Sequence, residues 1–412
     1  MGIFTKKYSP WVTCLTSALF YFYVAIQIAW FDTLAPSIIQ EFSMTAVQYS
    51  ELSSLFLLGM VIFLLPAGLL LDRYSIKKIL LITCALSSLL TITFGLSQNI
   101  LCDKLINFLL GTMGAFSFLP SVKLTSRLLP HNKIAMATGL IITIGMFGGI
   151  VAQSPLFYLQ LFLGWRHMLI TLGILGFCIT TVISIFVNVD DAPTETIEHH
   201  TRCGQKILLN YQNWLFALFT ATLNLPLLIL ASEWMQLYLQ KTHNISLSQA
   251  SYMAMSMFLG VMIGAPLAGF LSDRLRSRKK IMLIGPVLSL ISILIIMQTS
   301  HLSFLLLLLI FSCLGLSTGC QVMGFTAALE SNQASNNAAA TSLVSIFVTA
   351  GGVIFQPVFA LLLQWHWDGQ YAQGMPLYEP HNYHDAMLLF PISLLLCLII
   401  VFFIKEPFKT KT

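Results

Sequence analysis

"GLLLDRYSIKK" occupies Gly68–Lys78, and "GFLSDRLRSRK" occupies Gly269–Lys279. Glycine, aspartate and arginine recur in one order at an offset of 201 residues, close to half of a 412-residue chain. Each copy is a charged island in apolar sequence. A second echo, "GGIVAQSP" (Gly148–Pro155) and "GGVIFQP" (Gly351–Pro357), is shifted by nearly the same amount. Polar residues that match in register at two separate places mark an internal duplication. Duplicated halves are how many membrane transporters are built.

Composition identifies the solvent around these islands. The chain is 57% hydrophobic and 9% charged, with a mean hydropathy of +0.83. A water-facing domain carries about 25% charged residues, so most of this surface faces lipid. Apolar runs lie near 11–36, 46–71, 76–97, 102–126, 134–160 and 167–187, then 211–239, 247–271, 279–298, 302–329, 337–363 and 385–404. They are too long and too continuously apolar for barrel strands, which alternate over about 10 residues. The expectation is an all-α integral membrane protein, a monomer with twelve transmembrane helices in two six-helix halves. The polar stretch Asn188–Asn210 separates a half at 1–187 from one at 211–412.

Basic residues set the orientation. With both termini inside, 17 of the 21 Lys and Arg fall in inner segments, and only Lys104, Arg166 and Lys241 fall in outer ones. That asymmetry points inward-facing loops to the cytoplasm. The formal charge of +5 then reflects orientation and contact with anionic lipid, not nucleic-acid binding.

Two charged copies, each between the second and third run of its half, resemble the signature G-x-x-x-D-R-x-G-R-K of the major facilitator superfamily. The first copy supplies Gly68, Asp72, Arg73, Lys77 and Lys78, with Ser75 where a second glycine is usual; the second supplies Gly269, Asp273, Arg274, Arg278 and Lys279. "RLLPHNKIAMATGL" (Arg127–Leu140) and "LGWRHML" (Leu163–Leu169) are also similar to segments of that family. The resemblance covers the whole chain and implies alternating access between the halves. Glycines 68 and 269 are expected to permit close helix contact, and the charges to form an inner gate that breaks and reforms. The alternative is that the charges only set orientation.

Candidates for solute or coupling are polar residues within the runs, because exposing them to lipid is costly. Asp32 and Glu233 stand 201 residues apart, at equivalent places in runs one and seven. Facing carboxylates repel unless a proton, a cation or a substrate amine comes between them; the alternative is that each ends its helix in headgroups. Tyr23 and Gln27, four apart on one face, Asn224 and Gln321 lie deeper, with interhelical packing bonds as their alternative role. Lys123 either snorkels inward or binds an anionic group. Where many family members place an arginine in run four, "NFLLG" has Asn107, which weakens transfer of their coupling mechanism.

Other chemistry finds little support. There is no P-loop for ATP-driven transport, no nucleophile elbow, and no tight metal-ligand spacing among His366, His381 and His384. The reading is a non-enzymatic secondary transporter of a bacterial cytoplasmic membrane, with no cofactor beyond proton coupling. "ALFYFYVAIQ", "LAPSIIQEFSM" and "LLPAGLLLDRY" resemble small-nutrient importers of intracellular bacteria, amino-acid and nucleoside carriers among them. An amino acid, short peptide or similar amphoteric solute is the expected cargo. A drug or siderophore exporter and a non-transporting membrane sensor remain the alternatives.

Overall fold

The computed structural model describes residues 9–187, 209–299, 302–332 and 337–407. All but the last two residues of the 188–210 linker lie outside the described residues. Among the described residues, eleven helices are long and apolar enough to cross a bilayer, and a twelfth crossing is a pair bent by 40°. Apart from a two-residue hairpin pairing Tyr371–Ala372 with Met375–Pro376, the regular structure is helical.

Span one (Pro10–Phe42) continues past Pro36, where the sequence places its end. Proline removes one donor, so the carbonyl of Asp32, one turn earlier, loses its helical partner. Span five runs as Met136–Ala152 and Ser154–Leu163 with the bend at Gln153, not as one straight helix. Span seven (Tyr211–His243) contains the largest departure: Pro226–Trp234 is a π-helix between two α-helical pieces.

The duplication extends to how helices cross. Span four breaks between Ile100–Gly114 and Phe118–Leu128; span ten breaks between Phe304–Thr318 and Val322–Glu330, around a 3₁₀ turn at Gly319–Gln321. A Cβ on Gly111 would sit 1.7 Å from the Phe56 carbonyl oxygen of span two (Ala46–Leu71), and one on Gly59 would sit 2.2 Å from that of Phe108. The equivalent crossing in the second set has Gly315 at 2.2 Å from Met257 and Gly260 at 2.5 Å from Ser312, between spans ten and eight (Leu247–Arg274). No side chain larger than hydrogen fits these backbone approaches. Span five packs on span one in the same way, Gly148 meeting the Phe22 carbonyl.

Gly68 and Gly269 do not behave so. Among the described residues a Cβ at either would meet nothing within 4 Å, and close backbone contacts are made by Gly59, Gly111, Gly260 and Gly315 instead. The reason is position: these four lie in the middle of crossing helices, whereas 68 and 269 lie beyond the crossing.

Two compact units emerge. One holds residues 9–30 with the described residues from Leu55 to 187; the other holds Phe31–Ser54 with those from 209 onward. The end of span one, the start of span two and their connection therefore pack with the second set of helices. We call this end of the molecule outer, following the orientation predicted from charge.

Candidate functional site

The π-helix shapes a polar cluster in the second unit. A π turn widens the helix by one residue per turn, frees backbone groups and recurs at functional sites. Here Ser232 Oγ donates to the Leu227 carbonyl at 3.0 Å, and Gln356 Nε2 donates to that of Leu228 at 3.4 Å. Gln356 belongs to the "GGVIFQP" echo. Its counterpart in "GGIVAQSP", Gln153, donates to the Ala29 carbonyl of span one at 3.2 Å. The repeated glutamine thus clasps the first helix of each set.

At the end of the π-helix, Glu233 is fully buried and its Oε1 accepts from Ser53 Oγ at 2.6 Å. Asp32, also fully buried, accepts through Oδ1 from the backbone N–H of Gln236 at 3.0 Å, and Gln236 Nε2 donates to Thr33 Oγ1 at 3.3 Å. The backbone N–H that Asp32 accepts from lies three residues beyond Glu233 on span seven, so the two carboxyl groups belong to one cluster. Tyr49, in the same cluster, donates its hydroxyl to the Phe31 carbonyl and packs edge-on against Trp234, the neighbour of Glu233. Among the described residues, Asp32 Oδ2, Glu233 Oε2, Ser50 Oγ and Gln236 Oε1 are buried oxygens without a hydrogen-bond partner. No lysine, arginine or histidine pairs with either acid among the described residues.

The surroundings are aromatic. Trp234 packs edge-on to Tyr49 with centroids 5.7 Å apart and lies 5.9 Å from Phe359. Trp30 packs on Phe94 at 6.2 Å in the first unit. Both tryptophans are completely buried, so neither is an interfacial anchor. The acids do not end their helices in headgroups: spans one and seven both continue beyond them.

Ser50, Ser53, Tyr49, Thr33 and Gln236 escaped the sequence reading. The available signal was "YSELSS" (Tyr49–Ser54), a polar patch opening an apolar span, and Gln236 three residues after Glu233 on one helix face.

The remaining candidates separate by role. Tyr23 donates to Thr91 Oγ1 at 3.0 Å; Gln27 Nε2 donates to Thr91 and to Ser87 at 3.0 and 2.9 Å, and Ser87 returns a bond to Gln27 Oε1. That network ties span one to span three (Ile76–Leu96) and uses the polar capacity of both side chains. Lys123 Nζ donates to the Leu71 carbonyl at 2.5 Å, near the carbonyl-rich end of span two, where a cation is favoured. Asn224 is buried two residues before the π-helix, and Gln321 closes the 3₁₀ turn of span ten. Both sit where a helix departs from α geometry. Asn107 is fully buried, and neither of its amide atoms has a hydrogen-bond partner among the described residues.

The charged motif differs between its copies. Ser75 and Ser277 cap spans three and nine (Arg278–Gln298), accepting from the backbone N–H of Lys78 and Lys280. Cap to cap the offset is 202, because Arg276 adds a residue in left-handed conformation (φ 49°). Arg278 therefore stands opposite Ile76, not Lys77. Arg278 pairs with Asp273 at 2.5 Å and Glu330 at 2.6 Å, and its backbone N–H donates to Glu406 at 2.8 Å. Lys279 Nζ donates to the carbonyls of Ile404 and Phe402. These bonds lock the ends of spans eight, nine, ten and twelve (Pro380–Phe403) within one unit. In the first copy Arg73 and Lys78 are exposed and Lys77 half-buried, while the Asp72 side chain lies outside the described residues. Arg274 is exposed. At the opposite end, His366 Nδ1 meets Asp385 at 2.8 Å, and no three His, Cys, Asp or Glu gather among the described residues.

Comparison with known proteins agrees with this architecture. The Major Facilitator Superfamily profile matches residues 15–234 and 214–412, which together cover nearly all of the chain. The chain belongs to the Major Facilitator Superfamily. The uncharacterized transporter YybO of Bacillus subtilis (strain 168) is 28% identical over 163 residues, 40% of this chain and 35% of that protein. The probable sulfoacetate transporter SauU of Cupriavidus necator is 22% identical over 283 residues, 63% of this chain and 64% of that one. The chain thus spans about a third of the one curated relative and just under two thirds of the other. Among solved structures, a bacterial homolog of the human lysosomal transporter Spinster superposes with a TM-score of 0.76 at 15% identity, covering 96% of both chains. The nucleoside transporter NupG gives 0.75 at 13% identity, covering 95% of this chain and 99% of that one. At these identities the likeness shows the superfamily fold. The chain is a multi-pass membrane protein of a transporter family.

Proposed function

We propose that this chain is a secondary active transporter that carries a small organic solute, an amino acid, short peptide or similar, across a bacterial cytoplasmic membrane by alternating access. Transport is coupled to protons through Asp32 and Glu233. The observation that carries this reading is the burial of the two carboxyl groups together, at the joined ends of spans one and seven, with one oxygen of each unpartnered. Bringing two carboxylates into such a site without a compensating positive charge is costly. Closure of the outer end and delivery of a proton then become one event. A lysine in the inner half of span four, Lys123, is occupied at the Leu71 carbonyl. Its engagement and the two acids favour a solute bearing an ammonium group over an anion like the one named for the Cupriavidus relative.

Purified protein in proteoliposomes tests this directly, with amino acids, dipeptides, nucleosides and siderophores offered across an imposed pH gradient. Accumulation driven by an inward proton gradient, and lost in Asp32→Asn and Glu233→Gln, is the expected result. Extrusion of a siderophore or drug under the same gradient would replace the importer reading with the exporter one. Ligand binding without flux would favour a sensor.

A further inference from the structure

The segment between spans eleven and twelve, Gln364–Pro380, is the longest described connection and is rich in aromatic residues. It forms a tight hairpin whose turn residues Gln373 and Gly374 both have positive φ, 52° and 81°. Two residues of that kind give the left-handed turn that matches strand twist. Leu377 N–H closes the base of the hairpin on the Gln370 carbonyl at 2.8 Å.

The hairpin lies on the connection between spans one and two. A Cβ on Gly374 would stand 3.0 Å from the Gln40 carbonyl oxygen and 3.4 Å from Ser43 Oγ. Span two starts beneath it with a reciprocal cap, Thr45 Oγ1 accepting from Gln48 N–H and Gln48 Oε1 accepting from Thr45 N–H. The N–H of Ala46, one of the orphan donors of a helix start, donates to the Tyr378 hydroxyl at 2.8 Å. Gln364 Nε2 donates to the same oxygen at 3.2 Å. The Tyr378 ring is wedged between Trp367 at 5.3 Å and Tyr383 at 6.3 Å, and Tyr383 meets Tyr238 of span seven at 6.0 Å. Burial pushes the Tyr378 phenol up from its ordinary value, so it stays a neutral acceptor.

We propose that this hairpin is an outer latch, with Tyr378 as its positioning residue: docked on residues 40–46 it holds the start of span two, and through it Ser53, over the buried acids, and it must lift for the outer end to open. The inference rests on the alternating-access reading above. A loop serving only to join two spans needs neither a side chain that caps another helix nor a glycine seated on that helix's entry turn.

The test uses full-length protein in proteoliposomes carrying Ala35→Cys, a buried position on span one beside the acids, with Cys102→Ser to remove an exposed native thiol. A membrane-impermeant thiol reagent added outside reads opening as a labelling rate. Tyr378→Phe should raise that rate about fivefold, the factor that loss of a helix cap of ordinary strength implies. Gln40→Cys with Gln373→Cys, cross-linked before labelling, should abolish labelling at position 35, and cleaving the cross-link should restore it. Labelling that is unchanged by the cross-link overturns the latch alone. A position 35 that never labels even in the unlinked protein overturns alternating access at this end, and the latch with it.

Discussion

Removing one hydroxyl, Ser53→Ala, asks whether Glu233 enters its buried site charged or protonated. Ser53 Oγ lies 2.6 Å from Glu233 Oε1, while Oε2 has no partner; this is the short hydrogen bond that the closed site gives the carboxyl group. A bond between neutral groups contributes about 0.5–1.5 kcal/mol net, and one to a charged group about 1.5–3 kcal/mol. If the bond exists only while the outer end is closed, Ser53→Ala shifts the closed-to-open ratio by roughly two- to twelvefold for a protonated Glu233. For an ionised one the shift is roughly twelve- to 150-fold. Proton coupling requires the smaller effect at acidic external pH. The assay is the labelling rate at Ala35→Cys, measured at acidic and alkaline pH for wild type, Ser53→Ala, Glu233→Gln and the double variant. In the Glu233→Gln background the serine should show only the neutral effect at every pH, since a cycle on touching residues reports their coupling. A shift below twofold at both pH values would refute the reasoning, because the bond would then not distinguish closed from open.

Four further outcomes rest on the same geometry. Asp32→Asn and Glu233→Gln should each flatten the rise of uptake with falling external pH, and the double variant should add little to either; proton-gradient uptake in proteoliposomes measures it. Gly111→Leu and Gly315→Leu should abolish folded protein, judged by monodisperse elution in detergent, since a Cβ at either position would stand only 1.7 or 2.2 Å from a backbone carbonyl oxygen. Gly68→Ala and Gly269→Ala should elute and label like wild type, because nothing stands within 4 Å of the added carbon. Arg278→Met should lower the detergent unfolding temperature more than Arg73→Met does, because breaking a half-buried ion-paired cluster leaves Glu330 without its partner; thermal unfolding monitored by native tryptophan fluorescence checks the order.

Much of this was written into the sequence by itself. Lipid demands long helices with internally satisfied backbones, so hydropathy alone places twelve spans to within a few residues. The repeated "G-x-x-x-D-R" and "GG-x-x-x-Q" islands announce the duplication, and the 201-residue spacing of Asp32 and Glu233 singles out the acids by register alone. Tertiary structure decided what surrounds them. Apolar periodicity carries no signal for a π turn, so the offset of Pro226–Trp234 from α geometry, and with it the approach of Ser53, Tyr49 and Gln236, appears only when the helices pack. The glycines that matter were likewise invisible in the motif: crossing points depend on which helix lies opposite, so Gly59, Gly111, Gly260 and Gly315 are chosen by neighbours distant in sequence. One extra residue, Arg276, turned a 201-residue register into 202 and set Arg278, not opposite Lys77 but opposite Ile76, into an ion-paired cluster with Asp273 and Glu330. Composition sets which segments enter the membrane; the meeting of side chains from separate spans sets what they do there.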